Sequence, residues 1–246
     1  MIGRGERSLR TVGTWGIFGT EIKSDLKSVC FENEIINRSQ EQNKRQMKQF
    51  LKKYNATSIA NNEKIDRATF VEKHRDYDFL YDLISQYGGY TFNNGLFRIH
   101  TFEYVDKWTA LMTEYFEDEE NPFDMICFAA NWQGIMYCVD KTNSKITYLD
   151  PATCEWFSAD HSLQLFFDEI LVSGEYDIIF EDYFDRVVAY LKFEKLDYED
   201  SLGHKIYLYL GGNDEVENYE VVNTEVLWEL QVQLVDRINE IDEGGG

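Results

Sequence analysis

Proline is almost missing from this chain, with 2 in 246 residues, which excludes a proline-rich linker. Cysteine is scarce too: Cys30, Cys127, Cys138 and Cys154. None forms a CxxC pair and no histidine stands at ligand spacing from them, so reduced core thiols are expected rather than a disulfide framework or a zinc site. No run of 18 apolar residues occurs, which excludes an ordinary transmembrane helix. The first residues carry arginines but neither a sustained apolar run nor a clean small-residue cleavage site, so the chain reads as cytoplasmic. Positive charge is in short supply, with 24 Lys+Arg against 45 Asp+Glu and a net charge of −21. A field of that sign repels phosphate. Neither nucleic acid nor a membrane is expected as a partner, and a basic protein is favoured.

Apolar residues make up 43% and aromatics 15%, enough for a folded core of one large domain or two small ones. The charge is divided along the chain. Residues 1–80 hold 15 Lys+Arg and 11 Asp+Glu, so residues 81–246 hold 9 and 34 and carry −25. A weakly basic start precedes a strongly acidic body, and such asymmetry points to partners.

Periodicity outlines the elements. Residues 1–30 read as a short strand or an arm around Trp15-Gly16-Ile17-Phe18. Residues 39–54 read as a helix with Met47, Phe50, Leu51 and Tyr54 on one face, followed by a loop over ATSIANNEKI. One or two helices are expected over 66–86, stopped by Gly88-Gly89. A hairpin turns at Asn94-Gly95. Residues 102–116 form a helix with Tyr104, Val105, Trp108, Leu111, Met112 and Tyr115 as its stripe. Strands at 124–132, 134–141 and 145–151 read as an antiparallel meander. Helices over 160–172, capped by Asp160 or Ser162, and 176–193 precede a strand over HKIYLYLGG. A last helix covers 224–241, with Val226, Leu227, Leu230, Leu234 and Ile238 as the face to be buried. The expected class is α+β: an antiparallel meander flanked by helices, with a mostly helical N-terminal portion.

The common catalytic signatures are lacking. There is no HExxH, no G-x-S-x-G, no phosphate loop and no GxGxxG opening a helix. The acids of GGNDEVENYE are in the wrong register for a calcium loop. Cys154 with His161 is a pair that could assemble in space. No cofactor, metal or catalytic residue is assigned. The distinctive feature is acid interleaved with aromatics, in EYFEDEENPFD, SGEYDIIFEDYFDR and FEKLDYEDS. Carboxylates steer a basic partner and aromatics supply contact area. The candidate partner-binding residues are therefore Glu117, Asp118, Glu119, Glu120, Asp177, Glu181, Asp182, Asp185, Asp197, Tyr198, Glu199 and Asp200.

The order of segments from Phe50-Leu51-Lys52-Lys53-Tyr54 through YDLISQYGGYTFNNGLFRIHTFEYVDKW resembles the GAD-like domain. From Met125 onward the chain resembles the C-terminal domain of type VI secretion immunity proteins of the Tdi (DNase immunity) type. The carrying residues are Cys127-Phe128, Trp132-Gln133-Gly134, Leu149-Asp150-Pro151, Tyr209-Leu210-Gly211-Gly212, Asn218 with Val221-Val222, and the closing run Trp228 to Leu234. On this resemblance the chain divides into an arm over 1–46 without counterpart, a GAD-like portion over 47–120 and a C-terminal domain over 121–243. The resemblance implies a cytoplasmic immunity protein that binds and neutralises a toxin, typically a nuclease effector. It implies no catalytic residues, and the matched positions read as scaffold, with Asp150-Pro151 ending a strand. An acidic DNA mimic or adaptor with several basic partners, and a carboxylate-based hydrolase, are the alternatives the sequence leaves open.

Overall fold

A computed structural model describes residues 47–74, 77–117, 122–173 and 178–244. The expected arm over 1–46, with the first half of the 39–54 helix, lies outside them.

The fold is α+β and centres on an antiparallel meander. Seven strands lie in the sheet in chain order: β1 (Ala56–Ser58), β2 (Tyr90–Phe92), β3 (Phe97–Ile99), β4 (Met125–Asn131), β5 (Met136–Asp140), β6 (Lys145–Asp150) and β7 (Glu155–Ser162). Each pairs antiparallel with the next, so the sheet runs without a break across residue 120. A separate two-stranded ribbon joins β8 (Asp200–His204) to β9 (Tyr219–Asn223). Helices α1 (Lys48–Lys53), α2 (Arg67–His74), α3 (Asp78–Tyr87) and α4 (Phe102–Phe116) come before β4. Helix α5 (163–173), α6 (Glu181–Leu191) and α7 (Thr224–Gly244) come after β7.

β4 and β5 are buried along nearly their whole length, so both faces of the sheet are covered. Side chains alternate between faces in a strand. Ile126, Tyr137 and Val139 join one apolar cluster with Phe50 of α1, Phe166 and Phe167 of α5 and Phe184 of α6. Cys127, Met136 and Cys138 join the other, with Trp108 and Met112 of α4 and Trp228 of α7. Cys127 and Cys138 are directly opposed, with their sulfurs 2.9 Å apart; both are buried thiols. Helix α4 is capped by Thr101, whose hydroxyl accepts from Tyr104 N–H at 3.2 Å. The N-terminus of α1 is met from α5, where Asp168 accepts from Gln49 and Phe50 N–H.

Four sequence expectations are corrected. Ala56–Ser58 is an edge strand rather than loop, because its backbone pairs with β2. The segment from residue 155 to Ser162 is strand β7, paired with β6, so the helix expected from residue 160 begins only at Leu163; of the two expected caps, Ser162 stands at the N-cap position, without a side-chain cap bond. The HKIYLYLGG strand is displaced: β8 is Asp200–His204, and Leu208–Leu210 is a 3-10 turn closed by Gly211 at φ +85°. On α7 the buried face is Leu227, Trp228 and Gln231, while Val226 and Leu230 are 44% and 43% exposed.

Gly89 sits where α3 turns into β2. Its φ is +81°, and an added Cβ would lie 2.4 Å from the Ala60 carbonyl oxygen. Its own carbonyl accepts from Ile59 and Ala60 N–H, so that backbone cannot retreat without losing bonds. Gly211→Ala meets nothing within 4 Å and is expected to cost about 1 kcal/mol, the left-handed strain alone. Gly89→Ala adds a backbone collision and is expected to cost about 3 kcal/mol. Urea unfolding of the two variants measures the difference.

Candidate functional site

The described members of the acidic set fall into three places. Glu117 is exposed at the C-cap of α4. Glu181, Asp182 and Asp185 lie in the first turns of α6, where Asp182 and Asp185 are exposed. Glu181 is engaged internally: it pairs with Lys53 at 2.8 Å and accepts from Tyr54 O–H at 3.1 Å, tying α6 to α1. Asp118, Glu119, Glu120 and Asp177 lie outside the described residues.

Residues 197–200 do structural work around a buried cation. Arg98 on β3 is 3% exposed, and its guanidinium donates to the Asp200 carbonyl, to Ser201 Oγ at 2.8 Å and to Thr224 Oγ1 at 3.0 Å. The Asp197 carbonyl lies 3.5 Å from it. Burial pulls Arg98 down to about 10, which leaves it charged at neutral pH. Tyr198 O–H accepts from Thr101 N–H at 2.8 Å, and Glu199 accepts from Tyr104 O–H. Asp197 and Glu199 keep exposed side chains, whereas Tyr198 and Asp200 are half-buried. The space beside Arg98 and His100 is about 10 Å³, at the limit of what one water occupies.

A larger cavity, about 170 Å³, opens where the β6–β7 turn, the β8–β9 ribbon, α6 and α7 meet. Asp150, Asp214, His204, Tyr219, Gln133 and Gln231 supply its polar lining. Asp214 is the hub: its Oδ1 lies 3.2 Å from His204 Nε2 and accepts from Tyr219 O–H at 2.7 Å, and its carbonyl accepts from Tyr183 O–H at 2.5 Å. Gln133 in turn donates from its amide nitrogen to Tyr219 Oη at 3.1 Å. Burial holds the Asp150 carboxyl above the usual carboxylate range, with Asp214 and Glu155 adding to this, although the Ala152 N–H bonded to it works the other way. Phe180, 39% exposed and at φ +54°, lines one side.

Among the described residues, none of the acid-and-aromatic candidates lines this cavity. Asp150 and Asp214 do, although the sequence alone presents them as a strand end and as part of a run in the wrong register for a calcium loop. The available signal was polar residues inside apolar stripes, Gln133 after Trp132 and Gln231 after Trp228. Around the cavity the segment 205–218 exposes Ile206, Tyr209 and Leu210 at 57%, 45% and 62%. Exposed Glu215 and Glu217 follow on the same segment. Tyr209 O–H bonds the Thr153 carbonyl at 3.0 Å, which fastens this segment over the β6–β7 turn. Cys154 in that turn has its thiol pushed up to about 12, by burial first and then by Asp150, so it stays protonated at neutral pH. Among the described residues no helix is long and apolar enough to cross a membrane, and no three His, Cys, Asp or Glu side chains are grouped to hold a metal.

Comparison with protein-family models and with curated proteins finds no match. Among solved structures, the crystal structure of Atu4351 from Agrobacterium tumefaciens is similar, with a TM-score of 0.53 and 17% identity over 75% of this chain and 87% of that one. At that identity the likeness is one of fold.

Proposed function

We propose that this chain is an immunity protein that binds a basic toxin, a nuclease effector of type VI secretion, and occludes its active site. The observation that carries the reading is exposed acid close in sequence to exposed apolar side chains. Asp182 and Asp185 on α6 and Glu215 and Glu217 beyond it are exposed, and Phe180, Ile206, Tyr209 and Leu210 lie exposed on the neighbouring segments. Charge at the rim and apolar or aromatic area inside it is the arrangement of protein interfaces. A nuclease is positive where phosphate sits, so an acidic inhibitor gains from the same field. The resemblance of the ordered segments to GAD-like and Tdi-type immunity domains supports the same assignment.

The test is co-expression with a candidate basic toxin, sought first in the reading frames that neighbour the one for this chain. Rescue of growth and a stable complex support immunity; capture of many DNA-binding proteins with no dominant partner supports a DNA mimic instead. In the complex, Asp182→Lys with Asp185→Lys is expected to slow association about tenfold at low salt, and the loss should shrink as salt rises. Association rates that ignore both salt and charge reversal rule out the acidic face.

A further inference from the structure

The cavity beneath Asp150 has unspent capacity to accept hydrogen bonds. Gln231 is 1% exposed, and its Oε1 has no partner among the described residues. The same holds for Gln133 Oε1 and Thr153 Oγ1. The Gln133 amide has a fixed sense. Tyr219 gives its one proton to Asp214, so its oxygen can only accept, and Gln133 must present nitrogen to it and turn its oxygen elsewhere. Gln133, Thr153 and Gln231 line the cavity together with Asp150, so its lining is rich in acceptors. Among the described residues no lysine or arginine lines the cavity.

The rest of the lining selects the donor. Tyr183, Tyr219 and Phe180 contribute aromatic surface, which favours a cation. The volume of about 170 Å³ is well above the roughly 10–15 Å³ that one water needs. It also falls below the roughly 300–1,000 Å³ usual for cofactor and substrate sites. It suits the end of one long side chain. Several acceptor-bearing and aromatic residues in one lining match a planar guanidinium with five donors better than a compact ammonium.

We propose that this cavity receives an arginine side chain of the basic partner, anchored by Asp150, Gln133 and Gln231. The proposal rests on the reading of the chain as a binder of a basic protein. It extends that reading from the exposed acids to a buried recognition pocket, in which the acids steer and the pocket holds.

Butylguanidinium, with N-butylurea as its neutral counterpart, is titrated into the full chain while the Gln133 and Gln231 side-chain amide resonances are followed. The guanidinium is expected to shift both signals saturably, and the urea is not. Asp150→Asn keeps an oxygen for the Ala152 N–H, so the fold is retained, and binding should weaken about 30-fold. Gln231→Leu removes a buried side-chain oxygen that has no partner among the described residues, so its melting temperature is expected to rise while guanidinium binding is lost. That opposition separates a ligand site from a packing defect. Equal response to both probes, or tight guanidinium binding by Gln231→Leu, overturns the pocket. The co-expressed toxin supplies the second arm. Unchanged toxin affinity in both variants overturns the arginine anchor and leaves the acidic-face reading standing. Saturable guanidinium binding by a chain that neutralises no basic toxin overturns the partner reading and, with it, the source of the side chain.

Discussion

Trp132→Ala is expected to remove about 3–5 kcal/mol of stability, a large share of the 5–15 kcal/mol typical of a folded domain. Trp132 follows directly after β4 and is fully buried. Its indole packs against Phe184 at 5.6 Å, Tyr219 at 5.5 Å and Tyr183 at 6.0 Å. The indole N–H donates to the Ile179 carbonyl at 2.8 Å. Its backbone closes two further joints, donating to the Leu96 carbonyl and accepting from Leu202 N–H at 2.7 Å. One side chain thus holds the meander, the β8–β9 ribbon and α6 in a common arrangement. Trp132→Phe keeps most of the ring contact but leaves the Ile179 carbonyl unpaired, and about 1–3 kcal/mol is expected. Urea unfolding with an unchanged m-value checks both. An alanine variant that costs under about 1 kcal/mol would show that the ring is not the joint. Because Gln133 follows directly and Tyr219 is a ring neighbour, the alanine variant should also loosen the cavity and weaken guanidinium binding beyond what its stability loss explains.

Where the sequence reading succeeded, local signals agreed with the tertiary outcome. Helix α4 runs from Phe102 to Phe116, as its apolar stripe foretold. The Asn-Gly turn between β2 and β3 and the three strands from β4 to β6 were legible because glycine or polar turns punctuate alternating or continuous apolar runs. Where it failed, burial came from elsewhere in the chain. β8 reads Asp-Ser-Leu-Gly-His, with one large apolar side chain, yet Ser201 and Gly203 are buried because Arg98 and Leu227 pack against them. The apolar run just after it looks more like a strand but leaves Ile206 and Leu210 exposed. Helix α7 carries apolar residues on two faces, and its phase is set by Trp228, whose indole N–H bonds the Gly134 carbonyl at 2.8 Å.

The candidate site was legible only in part, for the same reason. Exposed acids can be read one at a time, and Asp182, Asp185, Asp197 and Glu199 are exposed as a docking face requires. A pocket cannot be read that way. Its polar groups come from positions 133, 150, 204, 214, 219 and 231, and only the folded chain brings them around one space. Asp150 shows the difference: a strand-ending Asp-Pro is a sufficient explanation in the sequence, and its burial beside Asp214 is visible only in three dimensions.

Acid is expected to destabilise the protein through His100. The ring stacks on Trp108 at 6.3 Å, is 1% exposed, and leaves Nδ1 without a partner among the described residues. Burial first, then the neighbouring Arg98 charge, pushes its pKa down to about 3. Unfolded, the imidazole takes a proton near 6.5. Between these values the unfolded state binds more protons than the folded one, so stability falls as pH is lowered, by about 1.4 kcal/mol per unit. About 2–3 kcal/mol should be lost between pH 6.5 and 4.5 from this group alone. Burial lowers His74 as well, which adds to the loss, despite the opposing hydrogen bond to Asp106. Asp150 acts with the opposite sign, because its raised pKa lets the folded state take a proton first and gain stability as pH falls. Relief of repulsion among a net charge of −21 works in that direction too. The difference between wild type and His100→Gln isolates the histidine from both. The glutamine variant cannot titrate, so its unfolding free energy should change less steeply from pH 6.5 to 4.5. If both proteins show the same slope in urea titrations at matched ionic strength, His100 is not the acid-sensitive group.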